Sequence, residues 1–155
     1  MKSLIIYCSD YKKNTEKLAS LFASKINSEL LNIREASDVD ISDYDLIGFG
    51  SGVYQETLSP KLYKLVNKLN VQGKSVFIFS TSGVGMTFYN KKLINLLESK
   101  GAINKGSFAC KGGFVAKDFT NVKIFDFMSK LSQGHPNEKD FLMAEKFIEK
   151  VIDLL

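Results

Sequence analysis

The stretch Ser3-Leu4-Ile5-Ile6-Tyr7-Cys8-Ser9-Asp10-Tyr11-Lys12-Lys13-Asn14-Thr15-Glu16-Lys17-Leu18-Ala19 decides the fold class. Its first six residues are a near-continuous apolar run, the pattern of a strand buried on both faces. Its end opens a segment, residues 15–26, in which Leu18, Leu21, Phe22 and Ile26 recur at i, i+3, i+4 and i+8, one face of a helix. A buried strand followed by a polar turn and a helix is the opening unit of a parallel sheet, whose strands need crossover connections.

The same alternation continues outward. Residues 30–33 read as a short second strand, and residues 44–50 as a third that ends in glycine. Ser59-Pro60 opens a helix with Leu62, Leu65, Val66 and Leu69 on one face, proline being tolerated in a first turn. Residues 74–80 form the fourth and most apolar strand. A helix over about 88–100 buries Leu93, Ile94 and Leu97, with Gly101 as its stop. Residues 107–114 make the fifth strand. After an irregular stretch to His135, Pro136-Asn137-Glu138 starts a last helix with Phe141, Ala144, Ile148, Val151 and Leu155 facing inward. The expectation is an α/β fold: a three-layer αβα sandwich around a five-stranded parallel sheet.

Composition agrees. With 155 residues, 45% of them hydrophobic and 25% charged, one domain spanning 1–155 with one core is expected. No apolar run approaches the roughly 20 residues of a membrane helix, and no signal-peptide pattern follows Lys2, so the chain reads as cytoplasmic with no membrane span. Cys8 and Cys110 are far apart and the chain has 1 histidine, which gives neither a zinc site nor a thiol redox pair. The formal charge of +4 comes from lysines interspersed with carboxylates and from one arginine, Arg34. Because the aromatics fall inside apolar runs rather than along a basic stripe, nucleic acid is not an expected partner.

In parallel α/β sheets ligands sit beyond the carboxyl ends of the strands where strand order reverses, which directs attention to the loops after strands one, three and four. The first runs from Ser9 to Thr15. Hydroxyl and amide side chains around a helix N-terminus make either an anion cradle or an ordinary cap by Asn14 or Thr15. The second reads Gly50-Ser51-Gly52-Val53-Tyr54, the third Ser80-Thr81-Ser82-Gly83-Val84-Gly85-Met86-Thr87-Phe88-Tyr89. Glycine, small hydroxyls and a following aromatic suit a flat aromatic ligand, bonded at its edge by main-chain groups and covered on its face by Tyr54 or Phe88. Neither a Walker loop nor G-x-G-x-x-G occurs, which disfavours nucleoside triphosphates and dinucleotides.

With Ser9 followed by Asn14-Thr15-Glu16-Lys17, Ser51-Gly52-Val53-Tyr54, and Ser80-Thr81-Ser82-Gly83 in these loops, the chain resembles the short-chain flavodoxin family over nearly its whole length. The resemblance implies strand order 2-1-3-4-5 and FMN as cofactor. By position it implies that Ser9, Asn14 and Thr15, with the amides of Tyr11, Lys12 and Lys13, hold the phosphate. Ser51, Gly52, Val53 and Tyr54 with Thr81, Ser82, Gly83, Val84 and Gly85 would enclose the ring. Three features depart from the family pattern: Lys13 stands where many relatives have glycine, the Gly-Asp after the third loop is absent, and the chain is basic where most flavodoxins are strongly acidic.

The leading expectation is an electron carrier that serves redox partner proteins bearing acidic docking surfaces, with no catalytic residue of its own. An FMN-dependent oxidoreductase of the same fold, of quinone or protoporphyrinogen dehydrogenase type, is the alternative. It would use residues 115–135, with Lys117, Phe119, Phe125, Phe127 and Met128, as a substrate wall, where the plainer reading is a partly helical connection packed on the sheet. A non-flavin signalling module is third, weakened because strand three ends in Gly50-Ser51 rather than aspartate. His135 is expected in a turn before the last helix rather than in catalysis.

Overall fold

The computed structural model describes residues 1–35, 38–114 and 123–155, without the side chains of 123–125. Its elements in order are β1 (Ser3–Cys8), α1 (Asn14–Ile26), β2 (Glu29–Asn32), β3 (Leu46–Tyr54), β4 (Thr57–Leu58), α2 (Pro60–Lys68), β5 (Ser75–Ser82), a 3-10 turn (Thr87–Asn90), α3 (Lys91–Ser99), β6 (Ile103–Lys111), α4 (Lys123–Ser132) and α5 (Glu138–Asp153). The parallel strands run β2-β1-β3-β5-β6, the expected order, and β4 pairs antiparallel with the end of β3.

Alternate side chains of each strand supply two cores. Leu4, Ile6, Ile47, Phe49, Val76 and Ile78 pack with Leu62 and Val66 of α2 and Leu93 and Leu97 of α3. Ile5, Leu46, Phe77, Phe79 and Phe108 pack on the other face with Leu18 and Phe22 of α1 and Ile148 and Val151 of α5. Phe22 meets Phe77, Phe79 and Phe108 edge-on with centroids 5.7, 5.1 and 6.2 Å away, a preferred aromatic geometry. Leu155 is 50% exposed, contrary to the inward placement expected of it, because α5 ends at Asp153.

Strand three does not stop at Gly50. A Cβ at Gly48 would come within 2.4 Å of the Phe77 ring, and one at Gly50 within 2.1 Å of the Phe79 ring. Those glycines make room for the aromatic rings of β5, and the strand continues to Tyr54. There a two-residue turn at Gln55 (φ 48°) and Glu56 (φ 64°) reverses the chain into β4. Such turns ordinarily favour glycine or asparagine, so the hairpin carried no sequence signal. Strand five also shifts: β6 begins at Ile103 and ends at Lys111, its start obscured by an irregular register opposite Val76 and Ile78. The third helix is divided into the 3-10 turn and α3. No helix among the described residues is long and apolar enough to cross a membrane.

Candidate functional site at the carboxyl edge of the sheet

Parallel register brings the strand ends to one level. Cys8 pairs with Ser51, Ser51 with Ser80, and Ser80 with Ala109; one step on, Gly52 pairs with Thr81 and Thr81 with Cys110. The three loops singled out by sequence therefore leave one edge side by side.

In the first loop Lys12 (φ 48°) and Lys13 (φ 55°) are both left-handed, a conformation that costs a non-glycine residue about 1–2 kcal/mol. Both side chains are exposed. Lys13 occupies the cap position of α1 with no side-chain hydrogen bond, so neither Asn14 nor Thr15 acts as a cap. Both are buried and face other elements: Asn14 Nδ2 donates to Gly113 O at 2.9 Å, and Thr15 Oγ1 lies 2.9 Å from Thr81 Oγ1. Ser9 Oγ accepts from the Glu16 N–H at a long 3.4 Å. The result is a positive helix end carrying two lysines and buried hydroxyls, the chemistry of an anion site. Tyr11 is half-buried in the same loop.

In the second loop the buried Ser51 is committed to the chain itself: its Oγ accepts from the Ser59 N–H at 2.9 Å and donates to Gly52 O at 2.7 Å. Gly52, Val53 and Tyr54 are half-buried. The phenol of Tyr54 folds back over Gly52, where a Cβ would lie 2.9 Å from its oxygen, and accepts from the Asp10 N–H at 3.4 Å. Burial pushes the Tyr54 pKa up to about 12, so the hydroxyl keeps its proton. Tyr54 thus joins the first loop to the second.

The third loop is packed onto the end of β6. Ser82 Oγ accepts from the Gly85 N–H at 2.8 Å. At Gly85 (φ 67°) a Cβ would be 2.8 Å from the Lys111 backbone nitrogen, and at Gly83 it would be 2.4 Å from the Phe114 ring. Thr81 is buried and Val84 half-buried, so Thr81 to Gly85 belong to the convergence. Phe88 is 66% exposed on the 3-10 turn that follows, with its ring edge-on to Tyr89.

A fourth segment was not anticipated. Gly112-Gly113-Phe114, expected to be strand, is a connection that links every neighbour. Besides the Asn14 and Phe114 contacts, Gly112 N–H donates to Ser82 O, Gly113 N–H to His135 O, and Ser129 Oγ of α4 to Phe114 O at 2.5 Å. The Gly-Gly-aromatic run was its available signal. Residues 115–122, with Lys117 and Phe119, lie outside the described residues, as does the side chain of Phe125. Residues 123–132 are helical, with Phe127 62% exposed and Met128 half-buried. His135 sits in the turn before α5 as expected; its Nδ1 contacts Asp140 Oδ2, while Asn137 and Asp140 form a reciprocal capping box. Burial raises the thiols of Cys8 and Cys110, the latter to about 12, which makes them poor nucleophiles. No metal-ligating cluster occurs among the described residues.

A family model described as a flavodoxin domain matches residues 4–138. An uncharacterised protein of Methanocaldococcus jannaschii is 38% identical over 154 residues, covering 98% of this chain and 99% of the relative. Oxidised flavodoxin 1 from Bacillus cereus superposes with a TM-score of 0.69 at 19% identity, covering 100% of this chain and 99% of that one. A flavodoxin from the domain Archaea does so with a TM-score of 0.70 at 14% identity, covering 99% and 98%.

Proposed function

The chain belongs to the flavodoxin domain family, and from that premise we propose that it binds FMN at the four-segment edge and carries electrons between protein partners. The observation that carries this reading is the start of α1, which combines a cap residue, Lys13, that makes no side-chain hydrogen bond, two left-handed lysines and the buried Thr15–Thr81 hydroxyl pair. These groups fit a phosphate dianion. Thr15, Ser9 and the amides of residues 11–13 would hold the phosphate, with Asn14 fixing the loop through Gly113. Gly52 to Tyr54 and Thr81 to Gly85 would border the ring, and Phe114 adds an aromatic beside Gly83. The flavin would supply the one- and two-electron chemistry, while the chain binds, orients and shields it.

Partner choice follows from charge. Exposed Lys12, Lys13, Lys61, Lys91, Lys92 and Lys139 belong to loops or first helical turns at this sheet edge, together with the exposed carboxylates Glu35, Glu56 and Glu138, so the lysines outnumber these acids. Such a field favours partners with acidic docking surfaces.

Purified protein titrated with FMN and riboflavin tests the reading. FMN binding tighter than riboflavin, followed by anaerobic reduction of the bound flavin and partner reduction rates that fall with added salt, is the expected outcome. Absence of flavin binding at micromolar concentrations would overturn it. The exposed Phe127 and Leu131 of α4, which is tied to Phe114, favour a second reading, an FMN-dependent oxidoreductase with its own small-molecule substrate. Steady turnover of a quinone without a partner protein would promote that reading over the carrier.

A further inference from the structure

The first loop contains a carboxylate at a place that should repel a phosphate. Asp10 is the second of the five residues between β1 and α1, and its side chain is only 23% exposed, so water screens it poorly. Arg34, the chain's one arginine, forms an ion pair with it. Lys61, in the first turn of α2, approaches the same oxygen at 3.9 Å. The Arg34 backbone is itself fixed, its N–H donating to Asn32 Oδ1 at the end of β2 at 3.1 Å. On the inner side, the Cys8 thiol lies 3.4 Å from Asp10 Oδ2, and the Tyr54 hydroxyl accepts from the Asp10 N–H.

Resting on the FMN reading, we infer that Arg34 is a positioning residue for phosphate recognition: its pair with Asp10 fastens the first loop to the end of β2 and cancels the one carboxylate that the loop would otherwise present to the phosphate. A half-exposed ion pair contributes little to folding, so its consequence lies in the bound state. There, with only the more distant and exposed Lys61 left beside it, the Asp10 charge acts on a dianion across a partly dry loop.

Four variants test this by FMN and riboflavin affinity together with unfolding midpoints of the apoprotein. Arg34→Gln should weaken FMN about tenfold while leaving riboflavin within about twofold and the midpoint nearly unchanged, a difference of about 1.4 kcal/mol in phosphate selectivity. Asp10→Asn should bind FMN at least as tightly as the native chain, and Arg34→Gln combined with Asp10→Asn should return to within about threefold of it. Lys150→Gln, which makes the same change in net charge on exposed α5, should leave FMN affinity alone. Equal weakening of both flavins in Arg34→Gln, failure of Asp10→Asn to rescue, or an equal loss in Lys150→Gln would overturn the inference while leaving FMN binding intact. A native chain that binds neither flavin would overturn both.

Discussion

The hydroxyls of Thr15 and Thr81 lie 2.9 Å apart in a buried contact that joins the first turn of α1 to the end of β5. Two hydroxyls share one hydrogen bond, so one hydroxyl hydrogen remains to donate outward, beside the start of α1, where Lys13 supplies no side-chain cap and Ser9 Oγ takes only the Glu16 N–H. Thr15→Val removes that arrangement and keeps the shape. FMN affinity should fall about ten- to a hundredfold, the value of a hydrogen bond to a charged group, roughly 1.5–3 kcal/mol, with riboflavin much less affected. Calorimetric titration with both ligands decides it, and equal losses would remove Thr15 from phosphate recognition.

Lys13 holds a left-handed backbone at φ 55° and carries a charge beside the helix end, so its two contributions oppose each other. Lys13→Gly should relieve the strain and stabilise the apoprotein by about 1 kcal/mol. The same change should weaken FMN relative to riboflavin through loss of the cation. Denaturant unfolding and flavin titration of one variant therefore move in opposite directions; a variant that is both less stable and unchanged in selectivity would contradict the assignment.

Gly85 and Gly52 separate structural from adaptable glycine. A Cβ at Gly85 meets the Lys111 nitrogen at 2.8 Å and the Cys110 carbonyl carbon at 2.9 Å, both backbone, at φ 67°. Gly85→Ala should cost about 2–3 kcal/mol of stability. At Gly52 the obstacle is the movable Tyr54 hydroxyl at 2.9 Å, so Gly52→Ala should cost less than about 1 kcal/mol. Comparable losses at both positions would show that Tyr54 is as fixed as the β6 backbone.

Alkaline stability should follow the buried acids. Burial raises the Cys110 thiol from 9.0 to about 12 and the Tyr54 phenol from 10.0 to about 12. Above pH 9 the unfolded chain releases the thiol proton while the folded chain retains it, so the stabilisation is complete below pH 9 and is lost as pH rises toward 12. The slope for the thiol reaches up to about 1.4 kcal/mol per pH unit, with Tyr54 adding to it above pH 10. Denaturant midpoints from pH 8 to 11 measure this. Cys110→Ala should flatten the part between 9 and 10, and an unaltered slope there would assign the loss to other groups.

Strand and helix identity were legible wherever periodicity was strong: the apolar run of β1, the Leu18–Leu21–Phe22 stripe of α1 and the Ser59-Pro60 start of α2 all appear where the residues place them. Boundaries failed where a residue served a distant neighbour. Gly48 and Gly50 read as the end of a strand, yet they accommodate Phe77 and Phe79 from β5. Asn14 and Thr15 read as possible caps, yet they bond to Gly113 and Thr81.

The alternation of apolar runs with helical stripes is a local property, and it determined by itself the layered α/β architecture and the loops in which glycine and hydroxyl residues gather. The identity of each partner across those loops was decided only by the tertiary structure. Thr15 and Thr81 are 66 residues apart, Asn14 and Gly113 are 99 apart, and Arg34 reaches Asp10 across two strand ends. Such contacts depend on which strands are neighbours and in what register, and a shift of one residue would turn each side chain to the opposite face. No local period carries that information, because register is fixed by the packing of all the strands and helices together.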